Sequence, residues 1–449
     1  MKTLDLIAQE LAGYDPQSLP AASVNEFLSH LVEPVVEQET VGIFQALDRV
    51  LAQHVISPIS VPAHDNSAMD GYAFDGAQLQ SPEPLHLKVV GTALAGQAWQ
   101  GQVQPGECVK IMTGAVMPAG LDTVVPQEFV TRSDAPDTIT VPEGLLKAGD
   151  NRRLLGEDLL QGQPALQQGA PLTPAALGLL ASLGLDQVTV WRRLRVAYFS
   201  TGDEILSLGE APREGAVYDS NRYTVFGLLT RLGCEVIDLG VVRDEPALLE
   251  AAFTEAAQKA DAIITSGGVS VGEADYTKAM MKKLGDVVFW RIAMRPGRPM
   301  AVGRIIKAKS PSSREDTSLD SYQKVSYSKP SEAAILFGLP GNPVAVMVTF
   351  LAFVRPALLQ MMGCTAPAPP LLKARSLAPL RKKPGRTEYQ RGTVALAPDG
   401  RLCVKAAGNQ GSGVLSSMVQ ANGLIVLHHH QGDVAPGDEV DVMMFDGVI

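Results

Sequence analysis

The sequence predicts a multidomain α/β protein: a mostly parallel α/β sandwich, preceded by a helical or extended N-terminal part and a small β-rich domain, and followed by a C-terminal β-barrel. Three observations carry this. At 449 residues the chain is too long for one core and divides into roughly three or four domains of ordinary size. Between Arg195 and Gly363 apolar runs alternate with amphipathic helical segments, and strands separated by helices of that length imply right-handed crossovers and a mostly parallel sheet. On either side lie short β-prone runs punctuated by Gly and Pro, the pattern of small β units.

In chain order, residues 1–60 form a helical or extended segment, with helical spacing over Asn25 to Val35 and Val41 to Val55. Residues 61–140 carry the runs LHLKVVG, CVKIMTG and DTVVPQEFV, a small β-rich domain. Residues 141–194 return to pack with the N-terminal part and include a helix from Thr173 to Leu185. Residues 195–364 are the α/β unit: RVAYFS, a helix from Asn221 to Leu232, EVIDLGVV, a helix from Glu245 to Lys259, DAIITS, a helix from Asp275 to Leu284, then DVVFWRIAM. Within it, 307–332 is polar and serine-rich, too poor in aliphatics to fold alone, and reads as a mobile surface insertion. Residues 365–449 begin with the stiff linker APAPP and continue as short strands with turns at Pro398-Asp399-Gly400 and Pro436-Gly437, a small barrel or sandwich.

Composition narrows the function. The 38 basic and 48 acidic residues leave a net charge of −10, which offers no electrostatic footprint for nucleic acid, so an anionic ligand must be small and met by a local cluster of cations. Four scattered cysteines, without CxxC or Cys/His ligand spacing, read as reduced thiols. The N-terminus has acids within its apolar pattern and no signal-peptide core, and no apolar run is long enough to span a bilayer; the expectation is a cytoplasmic protein without membrane contact. The tract His428, His429, His430 reads as a solvated turn rather than a metal site.

Parallel sheets bind ligands beyond the carboxyl ends of their strands, and four loops leave those ends with matching chemistry. RVAYFS runs into Thr201-Gly202-Asp203-Glu204, LGVV into Arg243-Asp244-Glu245-Pro246, and AIITS into Ser266-Gly267-Gly268 with Ser270, Glu273 and Asp275 beyond. AAILFG runs into Leu339-Pro340-Gly341-Asn342-Pro343. Glycines allow close backbone approach and helix starts favour anions; carboxylates beside such a site would repel a phosphate unless a hard cation such as Mg2+ lies between them. The turn Arg295-Pro-Gly-Arg298-Pro adds two cations. Singly, each acid reads equally well as a helix cap and each glycine as a turn; the convergence on one sheet edge favours a site.

With these residues in view, the chain resembles the molybdopterin molybdenumtransferases, the MoeA-type enzymes related to the E domain of gephyrin. The matching words occur in order: DNSAMDGYA, IMTGA, RRLLGED, FSTGDEI, YDSNRY, RDEP, SGGVSVGEADYT, RPGRP and GLPGNP. The resemblance runs from about Val24 to the C-terminus and implies that the α/β unit is of the molybdopterin-binding type. It also implies a Mg2+-dependent reaction in which adenylylated molybdopterin and molybdate enter, the adenylyl bond is hydrolysed, and molybdenum cofactor and AMP leave. The matching carboxylates Asp70, Asp158, Glu204, Asp244 and Asp275, with Thr113, would form the catalytic cleft, with Glu204, Asp244 and Asp275 as metal ligands; the sequence does not divide metal-holding from base. Ser266, Gly267, Gly268, Ser270, Pro340, Gly341, Asn342 and Pro343 would meet the pterin end, and Arg295, Arg298, Arg386 and the hydroxyls of Ser412 or Ser417 would meet molybdate.

The chain departs from the family pattern where lysines are usual, at Arg295 and Arg298, and at Ala345, where a serine often follows GNPV. Charge is kept, but Lys is a point charge and Arg a fork. The basic stretch Leu380 to Arg386 lies beside these residues and would help gather the anion. The resemblance further implies a homodimer that brings Asp70 and Thr113 to the partner's cleft, and transient contact with the adenylyltransferase and with cofactor acceptors. Two alternatives stand beside this reading: the adenylyltransferase itself, whose hallmark GGTG-type loop is here Gly267-Gly268-Val269-Ser270, and a non-catalytic cofactor-binding scaffold.

Overall fold

The computed structural model describes residues 2–80, 83–132, 137–269, 276–307 and 332–445. The insertion expected at 307–332 therefore falls almost wholly outside the described residues, as do Ser270, Glu273 and Asp275.

The α/β unit is built on a six-stranded sheet in the order Glu235–Val242, Arg195–Thr201, Ala262–Ser266, Ala333–Leu339, Pro299–Ile306, Gly285–Arg291. The first four strands run parallel. The last two join antiparallel, because the turn after Arg291 folds the chain straight back instead of crossing over through a helix. Side-chain alternation divides the core in two. Val196, Tyr198, Ile264 and Phe337 face a layer that includes the helices Ser220–Arg231 and Pro343–Met361, whereas Ala197, Phe199, Ile263 and Leu336 face Pro246–Lys259, where Phe199 and Phe253 meet edge to face at 5.0 Å. The helix Pro343–Met361 has the length and apolar composition of a membrane span, yet most of it is buried in this core.

The N-terminal helices Leu4–Glu10 and Ala21–Leu31 pack on the same layer: Phe27 meets Trp290 edge to face at 4.9 Å, and the Trp290 indole donates to Tyr14. The helical spacing over Val41 to Val55 does not become a helix. Gln38–Gly42 is a strand paired antiparallel with Gln187–Trp191, Ile43–Gln45 is a single tight turn, and Asp48 sits at φ 60°, where a right-handed helix cannot continue. Two further antiparallel ribbons, Val55–Ile56 with Pro164–Leu166 and Asn66–Ser67 with Arg152–Arg153, connect the outgoing and returning segments. They lead to a second six-stranded sheet, in the order Thr123–Pro126, Gly71–Phe74, Glu107–Ile111, Leu85–Ala93, Thr138–Val141, Thr131–Arg132.

Five C-terminal strands close into a barrel in the order Thr387–Leu396, Leu402–Ala406, Leu372–Ser376, Glu439–Met444, Gly423–Leu427, the last pairing back onto the first. The short strand Met294–Arg295, leaving the α/β unit, pairs in parallel with Thr387 and Glu388. The barrel is thereby stitched to the sheet at Arg295.

Candidate active site

A cavity of about 420 Å3 opens where the carboxyl ends of the parallel strands meet the barrel. Of the residues singled out from sequence, Glu204, Gly267, Gly268, Arg295, Pro340, Gly341, Asn342 and Ser412 line it. Each wall has a local cause. Gly267 (φ +93°) passes so close to the neighbouring strand end that a Cβ would lie 2.5 Å from the Thr201 carbonyl oxygen, and a Cβ on Gly268 (φ +64°) would strike the Thr277 side chain. The Gly267 N–H donates to the Leu339 carbonyl at 3.2 Å, so this glycine is required by strand crowding and does not offer its amide to a ligand. The Asn221 amide donates to Gly341 O at 2.7 Å and holds that turn at the cavity lip.

The barrel contributes the opposite wall. Asn342 Nδ2 reaches Ser412 Oγ at 3.2 Å, and Val344 N–H donates to Ser412 O at 3.1 Å, so the start of the helix Pro343–Met361 is tied to the barrel loop. Pro343 occupies the first turn of that helix and does not line the cavity. Sequence reasoning missed Gln410, which lines the cavity while accepting from Arg391 N–H and donating to Arg391 O and Ala407 O. It also missed Arg391, which is almost fully buried. The Arg391 guanidinium donates to Ser417 Oγ, Asn409 O and Gly411 O, and burial first, then the nearby Arg295, pushes its pKa down. The only sequence signal for Arg391 was its place in GRTEYQRG, where Arg386 drew attention instead.

Three expected anion ligands stand differently. The Ser417 hydroxyl is buried and committed, accepting from Arg391 and donating to Val414 O. Arg386 binds the buried Glu388 carboxylate through Nε and Nη2 at 2.8 and 2.7 Å. Arg298 is exposed and does not line the cavity. Glu388, Arg295, Arg381 and Arg391 line a smaller adjoining cavity of about 250 Å3, which shares Arg295, Pro296 and Gln410 with the first. The buried Arg391, the exposed Arg381 and the buried Glu388 carboxylate thus stand behind Arg295. Ala345 lines the main cavity with a methyl group and offers no hydroxyl there.

Among the acids, Glu204 lines the cavity, and the Asp244 N–H donates to Asp203 Oδ1 at 3.3 Å, which joins the two acidic loops. Asp275 lies outside the described residues, and among the described residues no cluster of three ligating side chains occurs. The donors that remain are all carboxylate oxygens, a set that fits a hard divalent cation and not a soft one.

Asp70 and Thr113 lie on the β-rich unit and Asp158 on the returning segment beside it, and none lines the cavity. There DNSAMD, IMTGA and RRLLGED come together: Asn66–Ser67 pairs with Arg152–Arg153, Gly114 N–H donates to Ser67 O, and Leu155 N–H donates to Asp65 Oδ1. Asp70 Oδ1 accepts from both Thr113 N–H (2.7 Å) and Thr113 Oγ1 (2.8 Å). These bonds, the backbone one first, hold the Asp70 carboxylate below its usual pKa. Asp158 is exposed, its N–H bonded to Val61 O.

A doubly covered sheet with a cavity at its carboxyl edge, where Glu204 stands, closed by a β-barrel that brings the buried Arg391, is the architecture of an α/β enzyme with its cleft between sheet and barrel. Residues 21–184 match the model of the MoeA N-terminal region (domain I and II), 197–360 that of a probable molybdopterin binding domain, and 373–445 that of the MoeA C-terminal region (domain IV). A molybdopterin molybdenumtransferase of Haemophilus influenzae is 42% identical over 92% of this chain and 95% of its own length, and one of Nostoc sp. is 35% identical over 91% and 88%. The crystal structure of a molybdopterin biosynthesis MoeA protein from Pyrococcus horikoshii superposes with a TM-score of 0.77 at 24% identity, covering 95% of this chain and all of that one. The chain belongs to the molybdopterin molybdenumtransferase (MoeA) family.

Proposed function

We propose that the cleft inserts molybdate into adenylylated molybdopterin, with Mg2+-dependent hydrolysis of the adenylyl bond and release of AMP and molybdenum cofactor. That the chain is a transferase of molybdenum cofactor biosynthesis follows from the family; the finer reaction is this reading. The observation that supports it is the joint cavity, where Glu204 stands on one side and Arg295, stitched into the barrel, on the other. A compact oxyanion is drawn to the Arg295 guanidinium, with Arg381 and Arg391 reinforcing the field from behind. Glu204, Asp244 and Asp275 are the residues that would hold Mg2+, which when bound offsets charge on the phosphate linkage. Asn342 and Ser412 orient polar substrate atoms at the seam. Gln410, locked by three hydrogen bonds, keeps the barrel wall from shifting.

Asp70, Thr113 and Asp158 reach a cleft of this kind through a second copy of the chain. Phe44, Ile56, Ile59, Leu154 and Leu155, on and beside the connecting ribbons, are exposed, and Phe44 is fully so; such a run of apolar side chains supports burial against a symmetry mate. All four cysteines are free thiols, which supports a reducing, cytoplasmic setting. Transient contacts with the adenylyltransferase and with cofactor acceptors remain part of the reading.

The test is AMP release from adenylylated molybdopterin by the purified protein, with and without molybdate and Mg2+. Release that needs Mg2+ and yields active cofactor only with molybdate is the expected result. Binding of the intact compound without cleavage would make the cleft a carrier or scaffold; formation of the adenylylated compound from ATP would make the protein the adenylyltransferase.

A further inference from the structure

At the edge of the sheet away from the cleft, a separate cavity of about 140 Å3 lies between the end of the helix Ser220–Arg231, the far end of Pro343–Met361, and the connecting ribbon at Asp48, Val50 and Pro171. The family's reaction gives it no role.

Its lining joins apolar walls to unpaired positive charge. Arg355 is half-buried, and Arg231 stands at the exposed end of its helix. Among the described residues neither guanidinium has a hydrogen-bond or ion-pair partner. Burial pulls the Arg355 pKa down, the direction expected of a cation held without a countercharge. A third cation is close by: Arg193 donates to Gly233 O at 2.8 Å, and a Cβ on Gly233 would lie 3.3 Å from Arg193 Nη1 and 3.5 Å from Asp48 O. Among the described residues Asp48 is the only acid in the lining. In a chain of net charge −10 this local excess of cations, one half-buried against apolar walls and one exposed at the mouth, favours an anion.

Size and wall chemistry select the anion. The volume is near that of an engineered cavity of about 150 Å3 that holds benzene, so the ligand is small. Aliphatic and aromatic side chains make most of the wall, which suits a hydrocarbon body. Asp48 and the single half-buried guanidinium suit one negative charge better than two. We propose that this cavity binds a compact monocarboxylate, its head forked by Arg355 with Arg231 at the mouth, and its short aliphatic body against Val50, Leu228, Phe350 and Leu359.

The probe is 4,4,4-trifluorobutyrate, followed by 19F NMR line broadening on the intact protein. Saturable binding is expected, displaced by butyrate and absent for 4,4,4-trifluorobutyramide, which has the same body and no charge. Arg355→Gln should weaken binding by about tenfold or more, the loss of a charge-assisted pair. Leu359→Trp, which fills the cavity and keeps both arginines, should abolish it. Arg231→Gln, at an exposed helix end, should weaken it by a few-fold, about 1 kcal/mol or less, and keeps the test open if Arg355→Gln does not fold. No saturable binding, equal binding of the amide, unchanged binding in Leu359→Trp, or displacement by inorganic phosphate as readily as by butyrate would each overturn the assignment.

Discussion

The two regions that carry the acids proposed for the cleft are built on different plans. Around Glu204 the wall is continuous with the largest core among the described residues: buried strands, a glycine packed against a neighbouring carbonyl, and a barrel loop tied to a helix start. Around Asp70 the carboxylate is fully exposed and held by one threonine on a small sheet reached through two-stranded ribbons. The first region is a preformed cavity wall whose geometry is fixed by folding. The second is a prearranged group without a pocket, and its placement supports a role completed by another surface.

The strongest way to break this contrast is complementation. Glu204→Gln and Asp70→Asn should each lower AMP release on the order of 100-fold or more, as expected for groups that act on developing charge. If the two half-sites meet across a dimer, refolding the dead variants together should restore about a quarter of the wild-type sites, since a mixed dimer holds one site with both residues intact. No recovery would place both acids in one subunit's cleft or remove one from the chemistry.

A second test addresses the rigid half. Gly267→Ala forces a side chain into a left-handed backbone and against Thr201 O, and should cost roughly 1–3 kcal/mol in urea unfolding. An equivalent change at Gly114, also at positive φ but with open space around its Cβ, should cost less, about 1 kcal/mol of backbone strain. Equal costs would erase the distinction between crowded and open walls.

The smallest expected effect concerns protonation of Asp70. Because its folded-state pKa is depressed, Asp70 contributes stability that is present above its unfolded-state value and lost as pH falls through the lowered folded-state value. Thr113→Val removes the hydroxyl and keeps the backbone donor, so the pKa should rise part of the way toward an ordinary aspartate and the acid-side loss should shrink. A carboxyl-carbon NMR titration reads this directly; an unchanged midpoint would show that the backbone bond alone sets it.

What the sequence made legible follows the range of the forces involved. The parallel strands, their helices and the acidic loops at their ends were readable because apolar runs and glycine pairs are local signals. The antiparallel end of the sheet was not, because it depends on how the turn around Arg295 to Arg298 directs the chain. Val41 to Val55 misled because its apolar residues recur at helical intervals although partners more than a hundred residues away claim the backbone, Val188 at Val41, Pro171 at Val50 and Val190 at Leu51. Arg386 and Ser417 carried the right chemistry for an anion, yet Glu388 and Arg391 occupy them. Gln410 was invisible because only the folded barrel turns it toward the cavity.

The parallel pairing of Met294–Arg295 with Thr387–Glu388 has a mechanical consequence. The backbone that carries the cleft's arginine is also hydrogen-bonded onto a strand of the barrel, which couples barrel orientation to cleft width. An anion that grips Arg295 together with groups on the sheet side works like a latch on a door, and by linkage it stabilises the closed docking of the barrel by as much as docking strengthens its own binding. Substrate affinity in such a molecule is tunable from the far side of the barrel, by residues that never touch the substrate.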